Sequence, residues 1–282
     1  MLTKLEIFNT KILTSPLPFV AGSESTDPIQ ILNIDGLGPV AADIQASSYA
    51  NIDGSFFSGS SVGKRNIVLT LGLNPNWATQ TYESLRNIVY KYFMTEQKVK
   101  LQFTTTNLTM CEITGYIESC EPNIFSKDPQ MVISILCPNP FFTDVSETVL
   151  TGLTTAIDSV TTVAINYLGT ISSGFTLDIQ AAPTAMYGGT VQVVVSNPIP
   201  QLFQATAIDI TSTIYFILNT KTSEKTVLKK YSTKRIPTSN LASIVQNTQW
   251  PQFSPGANDL KVMTSFINFA WTLRYRNVYG GL

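Results

Sequence analysis

Histidine is absent from all 282 residues, and that omission removes Ser-His-Asp and Cys-His catalysis, histidine zinc sites and imidazole general bases together. Charge is scarce: 13% of residues are Asp, Glu, Lys or Arg, about half of the roughly 25% usual in soluble domains. With 18 basic and 19 acidic residues the formal net charge is -1, which argues against a nucleic-acid binder built on phosphate neutralisation. Cysteine is limited to Cys111, Cys120 and Cys137, separated by eight and sixteen residues. An odd number at that spacing fits neither a zinc site nor a disulfide framework, so reduced, mostly buried thiols are expected. No apolar run approaches the roughly 18 residues of a membrane span. The opening MLTKLEIFNTKIL alternates like a strand and lacks a signal-peptide core, so a soluble, unexported chain is expected, and the sequon at Asn107 is read as chance.

What is present is apolar and uncharged polar. Hydrophobic residues make up 44%, with Ser, Thr and Asn filling much of the rest. So little charge suits either surfaces built for lasting association or an ordinary β-rich protein with Thr and Ser at its exposed strand positions. The length fits one to two domains, each large enough for its own core.

The clearest local signal lies between Gly63 and Phe93. Ile67, Leu69 and Leu71 alternate as in a half-buried strand. Tyr82, Leu85, Ile88, Val89, Tyr92 and Phe93 then recur at helical steps, opposite Glu83, Arg86, Asn87 and Lys91, predicting an amphipathic helix lying on a sheet. Further strands are expected over 3–14, 29–34, 98–104, 110–117 and 130–136. The passage SPLPFVAGSESTDP reads as a break in regular structure. Residues 38–63, rich in Ser, Gly, Ala and Asp with Phe56 and Phe57 as the large exceptions, exceed an ordinary loop; they are read as disordered alone or as an arm that orders against a neighbouring subunit. This gives an α+β domain with a mostly antiparallel sheet over residues 1–143, closed by the prolines of CPNPFF. Over 144–282 short strands are expected at 160–168, 174–181, 190–195, 207–210, 214–219 and 226–231, with a helical turn near 240–246 and an aromatic-rich segment at 266–276. That pattern predicts an antiparallel β-sandwich, and a mainly β chain as a whole.

GSSVGKRNIVLTLGLNP with the helix after it, SILCPNPFF, NYLG with GFTLDI, and the closing WPQFSPGAN and LRYRNVYGG together resemble the phage distal tail protein family. The resemblance spans essentially the whole chain and rests on collinear order, since none of these segments is a catalytic signature. It implies a ring-forming belt domain followed by a galectin-like sandwich. It also implies a structural, non-enzymatic virion protein without cofactors or membrane insertion, made in the host cytoplasm. The implied assembly is a homo-hexamer at the distal end of the tail tube, joining tube protein to the tip or baseplate hub and meeting tape measure and receptor-binding proteins, with DNA passing through ungripped. The residues also stand without the family: Trp250 and Phe253 are apolar anchors, and Pro255-Gly256 suits a tight turn.

Candidate ring-interface residues are Lys64, Arg65, Phe56 and Phe57, the two basic residues being read either as facing a neighbour or the tube, or as a solvated turn. The run Lys221, Lys225, Lys229, Lys230, Lys234 and Arg235 is a candidate patch for an acidic partner or an anionic cell surface, or a solvated hairpin edge. GSSVGKR is one residue short of a phosphate loop and precedes a strand where a helix should open. The carboxylate pairs Glu118/Glu121 and Asp27/Asp35 have no evident shared cleft, which leaves a cell-wall hydrolase without support. A carbohydrate-binding adhesin is the rival reading, resting on the sandwich and the basic run.

Overall fold

The alternation that begins at Arg65 is realised as a nine-residue interior strand of the first sheet, one place in from its end. The computed structural model describes residues 2–9, 16–20, 27–48, 53–106, 110–123, 129–154, 160–181, 186–197, 199–211, 214–232, 236–265 and 269–282. The chain forms two compact units, Met1–Val145 with Tyr279–Leu282, and Ser146–Val278. The second unit thus begins two residues beyond the expected boundary, and four residues that follow it in sequence belong to the first.

In the first unit the strands are β1 (Leu2–Asn9), β2 (Leu17–Val20), β3 (Ile29–Asp35), β4 (Ala42–Ser47), β5 (Phe56–Val62), β6 (Arg65–Leu73), β7 (Lys98–Thr105), β8 (Met110–Asn123), β9 (Gln130–Cys137) and β10 (Phe142–Asp144). The main sheet runs β2-β1-β7-β8-β9-β6-β3, with β10 on β8, and its pairings are antiparallel. Side chains from β1, β2 and β3 line one largely apolar cavity of about 140 Å³. The sheet therefore curls until its two end strands border the same space. Leu5, Ile7, Ile67, Leu69, Leu71, Leu101, Phe103, Ile133 and Ile135 fill the core from alternate strand positions.

Helix α1 (Tyr82–Tyr92) begins at a capping box: Ser84 donates its N–H to Thr81 Oγ1 at 3.2 Å, and Thr81 donates its N–H to Ser84 Oγ at 3.1 Å. Two orphan donors of the first turn are thereby satisfied. Leu85, Val89 and Phe93 are fully buried, while Tyr82 is half-buried against the same core, so the expected face is the packed one. It lies against β1 and β6. Strands β2, β4, β5 and β10 lie where the sequence pattern predicts none. β2 departs from that pattern because Pro18 sits inside it, which an end strand tolerates since no further strand needs its missing N–H.

The second unit contains β11 (Thr148–Thr154), β12 (Val160–Tyr167), β13 (Thr176–Ala181), β14 (Met186–Ser196), β15 (Pro200–Ile210), β16 (Ile214–Asn219), β17 (Thr226–Tyr231), β18 (Thr238–Ser239), β19 (Gly256–Thr264) and β20 (Phe269–Tyr275). Two sheets, β11-β20-β13-β16-β17-β18 and β12-β19-β14-β15, contribute to one apolar core. This is the expected sandwich, with β11, β18 and β19 additional to the expected strands and β14 and β15 longer than the sequence pattern indicates. The expected helical turn is a short 3₁₀ segment, Leu241–Ser243. At Pro255-Gly256 the turn forms as expected, Gly256 having φ of 95°. Asn258, 2% exposed, cinches it by accepting the Ser254 N–H at 3.0 Å and donating to the Ser254 and Gly256 carbonyls at 2.7 and 2.8 Å. Finally β21 (Val278–Tyr279) pairs with β10, leading Tyr279–Leu282 into the first unit.

Candidate assembly site

The long polar stretch contains a two-stranded sheet of its own, β4 paired with β5. Every arm position in those two strands is exposed except Gly59, which is partly covered. The register places Ala42 opposite Val62, Ile44 opposite Ser60, and, beyond an irregularity, Ala46 opposite Phe57. Directly paired residues share a face, so Ile44, Phe57 and Val62 form one apolar side, and they are 66%, 69% and 43% exposed. Asp43, Gln45, Ser47, Ser61 and Phe56 belong to the other side; Phe56 is 57% exposed. A lone hairpin is marginal in water, and an apolar face on one suits a surface awaiting cover.

At the foot of the arm Lys64 and Arg65 part company. Lys64 is exposed. Arg65 is 1% exposed, which corrects the expectation that it faces a neighbour or the tube. Its Nε donates to the Pro140 carbonyl at 2.6 Å, one terminal nitrogen to the Gly36 and Gly38 carbonyls at 2.5 and 2.6 Å, and the other to the Gly280 carbonyl at 2.5 Å. The Phe142 ring lies 4.6 Å from the guanidinium carbon. Burial pulls its pKa down from the ordinary guanidinium value, with Cys137 opposing the shift, yet an arginine stays charged in proteins. Four carbonyl dipoles therefore hold this cation.

Residues 22–152 match the family model described as a phage tail protein RIFT-related domain. This stretch is a phage tail RIFT-related domain. The crystal structure of SPP1 Dit (gp 19.1), described as a paradigm of the hub adsorption apparatus in phages infecting Gram-positive hosts, shares the fold. Its TM-score is 0.66 at 12% identity, covering 96% of this chain and 98% of that one. A chain in the activated baseplate of phage p2 with Ca matches at TM-score 0.39 and 9% identity over 94% of this chain and 98% of that one. No curated protein matches by sequence. The resemblance to phage distal tail proteins read from the residues is borne out by the family model over residues 22–152 and by the fold shared with SPP1 Dit.

Other expected sites in this chain are not drawn together. Lys229 is paired with Asp209 at 2.9 Å and Lys221 with Glu147 at 3.7 Å. Lys229 stands opposite Phe216 and Lys230 opposite Tyr215, so consecutive lysines point to opposite faces. The run is not a one-sided patch, which corrects that candidate for its described members; Lys225 and Lys230 are exposed, and Lys234 and Arg235 lie outside the described residues. Asp27 and Asp35 flank β3, ~20 Å or more apart at the rise of a strand, too far for a glycosidase pair. β6 begins at Arg65, the last residue of GSSVGKR, so this segment opens no helix to cradle a phosphate. In the sandwich a cavity of about 250 Å³ is lined by Thr190, Gln192, Met263, Thr264 and Ser265, none of them an aromatic platform for a sugar. Among those residues, no cluster of three or more His, Cys, Asp or Glu is placed for a metal, and no helix is long and apolar enough to cross a membrane.

The three thiols are free; Cys111 and Cys137 are buried and Cys120 is half-buried. Burial first, aided at Cys111 by Asp144 and opposed at Cys137 by Arg65, pushes each from 9.0 up to about 11. A thiol whose folded pKa is raised ionises first in the unfolded chain. Its contribution to stability is therefore full below the unfolded pKa and is lost as pH rises from about 9 towards about 11. Thermal melts across that window should show this decline, and it should flatten when Cys111, Cys120 and Cys137 are all changed to Ala. An equal decline in both proteins would remove the thiols as its cause.

Proposed function

We propose that the protein is a distal tail component that assembles as a homo-hexameric ring, with the first unit as the belt and the second as an outward galectin-like sandwich. The ring joins the tail tube to the tip or baseplate hub in the virion and leaves a channel through which DNA passes without being gripped. The observation that carries this reading is the β4–β5 arm, whose apolar face of Ile44, Phe57 and Val62 stands exposed on a domain matching a phage tail family. The fold shared with SPP1 Dit supports it. So does a net charge of -1, since a strongly cationic lumen would retain a polyanion. The arm of each copy lies against its neighbour, so donor and acceptor surfaces differ, the head-to-tail geometry that closes rings. The role is mechanical, and no step of bond chemistry is assigned to it.

Phe57→Asp separates assembly from folding. An exposed side chain contributes within about 0.5 kcal/mol to its own unit, whereas a central aromatic in an interface is worth about 2 kcal/mol or more. Native mass spectrometry should therefore show six-copy wild-type rings and mainly single copies of the variant, with matching thermal melts. Variant rings as stable as wild type would remove the arm from the contact. Imaging of virions that places the chain anywhere but around the conduit near the distal end would overturn the reading as a whole.

A further inference from the structure

We propose that Tyr279–Leu282, held by Arg65, is a brace that sets the β4–β5 arm, so that a copy becomes competent to join its neighbour only after residues beyond the entire second unit have docked. This rests on the arm being the ring contact. The arm leaves the first unit through two roots, the segment 36–41 before β4 and the segment 63–65 after β5. Arg65 stands on the second root and donates to Gly36 and Gly38 on the first. The same guanidinium holds the Gly280 carbonyl, and the Leu282 N–H donates to the Leu37 carbonyl at 3.0 Å. Between these bonds Gly281 sits so close that a Cβ there would lie 2.8 Å from Pro39 N and 3.0 Å from the Gly38 carbonyl carbon. Residues 280–282 are thus laid along residues 36–39.

The arm's described strand positions are exposed or, at Gly59, only partly covered, and its two roots join it to the rest of the first unit. Its direction is inherited from its roots. Were Gly280 absent, one arm of a buried guanidinium would lose its acceptor, and an unsatisfied buried donor of a charged group favours moving the side chain out to water. The Gly36 and Gly38 carbonyls would then lose their donor, and the first root would loosen. Chain order turns this into timing. Domains fold as units with the N-terminal part made first, yet this clamp lacks its last acceptor until synthesis has passed Val278. An arm that is loose before then pays an ordering cost on meeting a neighbour, which disfavours premature association of incomplete chains.

Hydrogen exchange on the full chain, diluted to single copies, tests the brace with Gly281→Ala and Arg65→Met. Amides of 42–47 and 56–62 should exchange about tenfold faster in both variants, the factor for about one net hydrogen bond lost at the root. Those of 67–71 and 131–135 should be unchanged in Gly281→Ala. Ring formation on concentration should weaken in parallel. If Arg65→Met loosens the whole first unit, the central strands will exchange faster too, and Gly281→Ala decides the matter. Wild-type exchange throughout the arm in Gly281→Ala overturns the brace, and so does a loosened arm that assembles as well as before. Wild-type protein that never forms rings would instead overturn the proposed function, while the exchange rates still report on the brace.

Discussion

Leu85→Asp is expected to abolish the cooperative melting of the first unit. Leu85 is fully buried, on the helix face it shares with Val89 and Phe93. Truncating such a leucine costs about 2–5 kcal/mol through lost transfer energy and residual void. Aspartate adds a charge with no partner on that face, and burying one without compensation is costlier still. Domains are stable by about 5–15 kcal/mol in total, so the sum removes most or all of that margin. Exposed Asn87 lies one residue before Ile88 on the opposite face, and Asn87→Asp should change stability by no more than about 0.5 kcal/mol. Calorimetry should show the first unit's transition lost in the one variant and kept in the other. A Leu85→Asp protein that melts normally and forms rings would mean that the helix does not lie on β1 and β6 as described.

Phe253→Ala should produce the largest single loss in the second unit, about 3–5 kcal/mol. Phe253 is fully buried among three other rings: stacked on Phe175 at 4.7 Å, edge-on to Tyr275 at 5.2 Å and tilted against Tyr167 at 6.3 Å. Its backbone is held on both sides, donating to the Ser173 carbonyl at 2.9 Å and accepting the Ser173 N–H at 3.0 Å. Tyr167 is fixed as well, its hydroxyl donating to the Ile171 carbonyl at 2.8 Å and accepting the Val278 N–H at 2.9 Å. With the surroundings pinned, the void cannot collapse, which puts the cost at the upper end of its range. Trp250 is only partly buried and tilts against Phe203 at 5.6 Å, so Trp250→Ala should cost less. Chemical denaturation followed by fluorescence measures both, and a Phe253→Ala loss below about 1 kcal/mol would contradict the packing described.

Both positions are legible in the sequence because each belongs to a local pattern. Leu85 falls at helical spacing with Val89, and Phe253 stands in a segment where a large apolar residue precedes a proline-glycine turn. The arm is only half legible. Its length and composition mark residues 38–63 as unusual, but strands whose residues are nearly all exposed carry no buried alternation to read, so β4 and β5 leave no periodic signal and only Phe56 and Phe57 stand out. The lysine run misleads for a related reason: sequence proximity gathers residues that a strand's pleat sends to opposite faces.

Arg65 marks the limit most clearly. Beside Lys64 in a glycine-rich stretch it has the same local signature as a solvated basic residue, yet one is exposed and the other buried. Composition, alternation and helical period determined by themselves that this chain is mainly β, carries one amphipathic helix, and has no histidine chemistry, since those depend on residue type and on neighbours a few positions apart. Only the tertiary structure decided that a cation would be buried among carbonyls of residues 36, 38, 140 and 280. Those acceptors are backbone atoms, identical in every residue type, and the farthest lies 215 positions away, so nothing in the local order of side chains can announce their convergence.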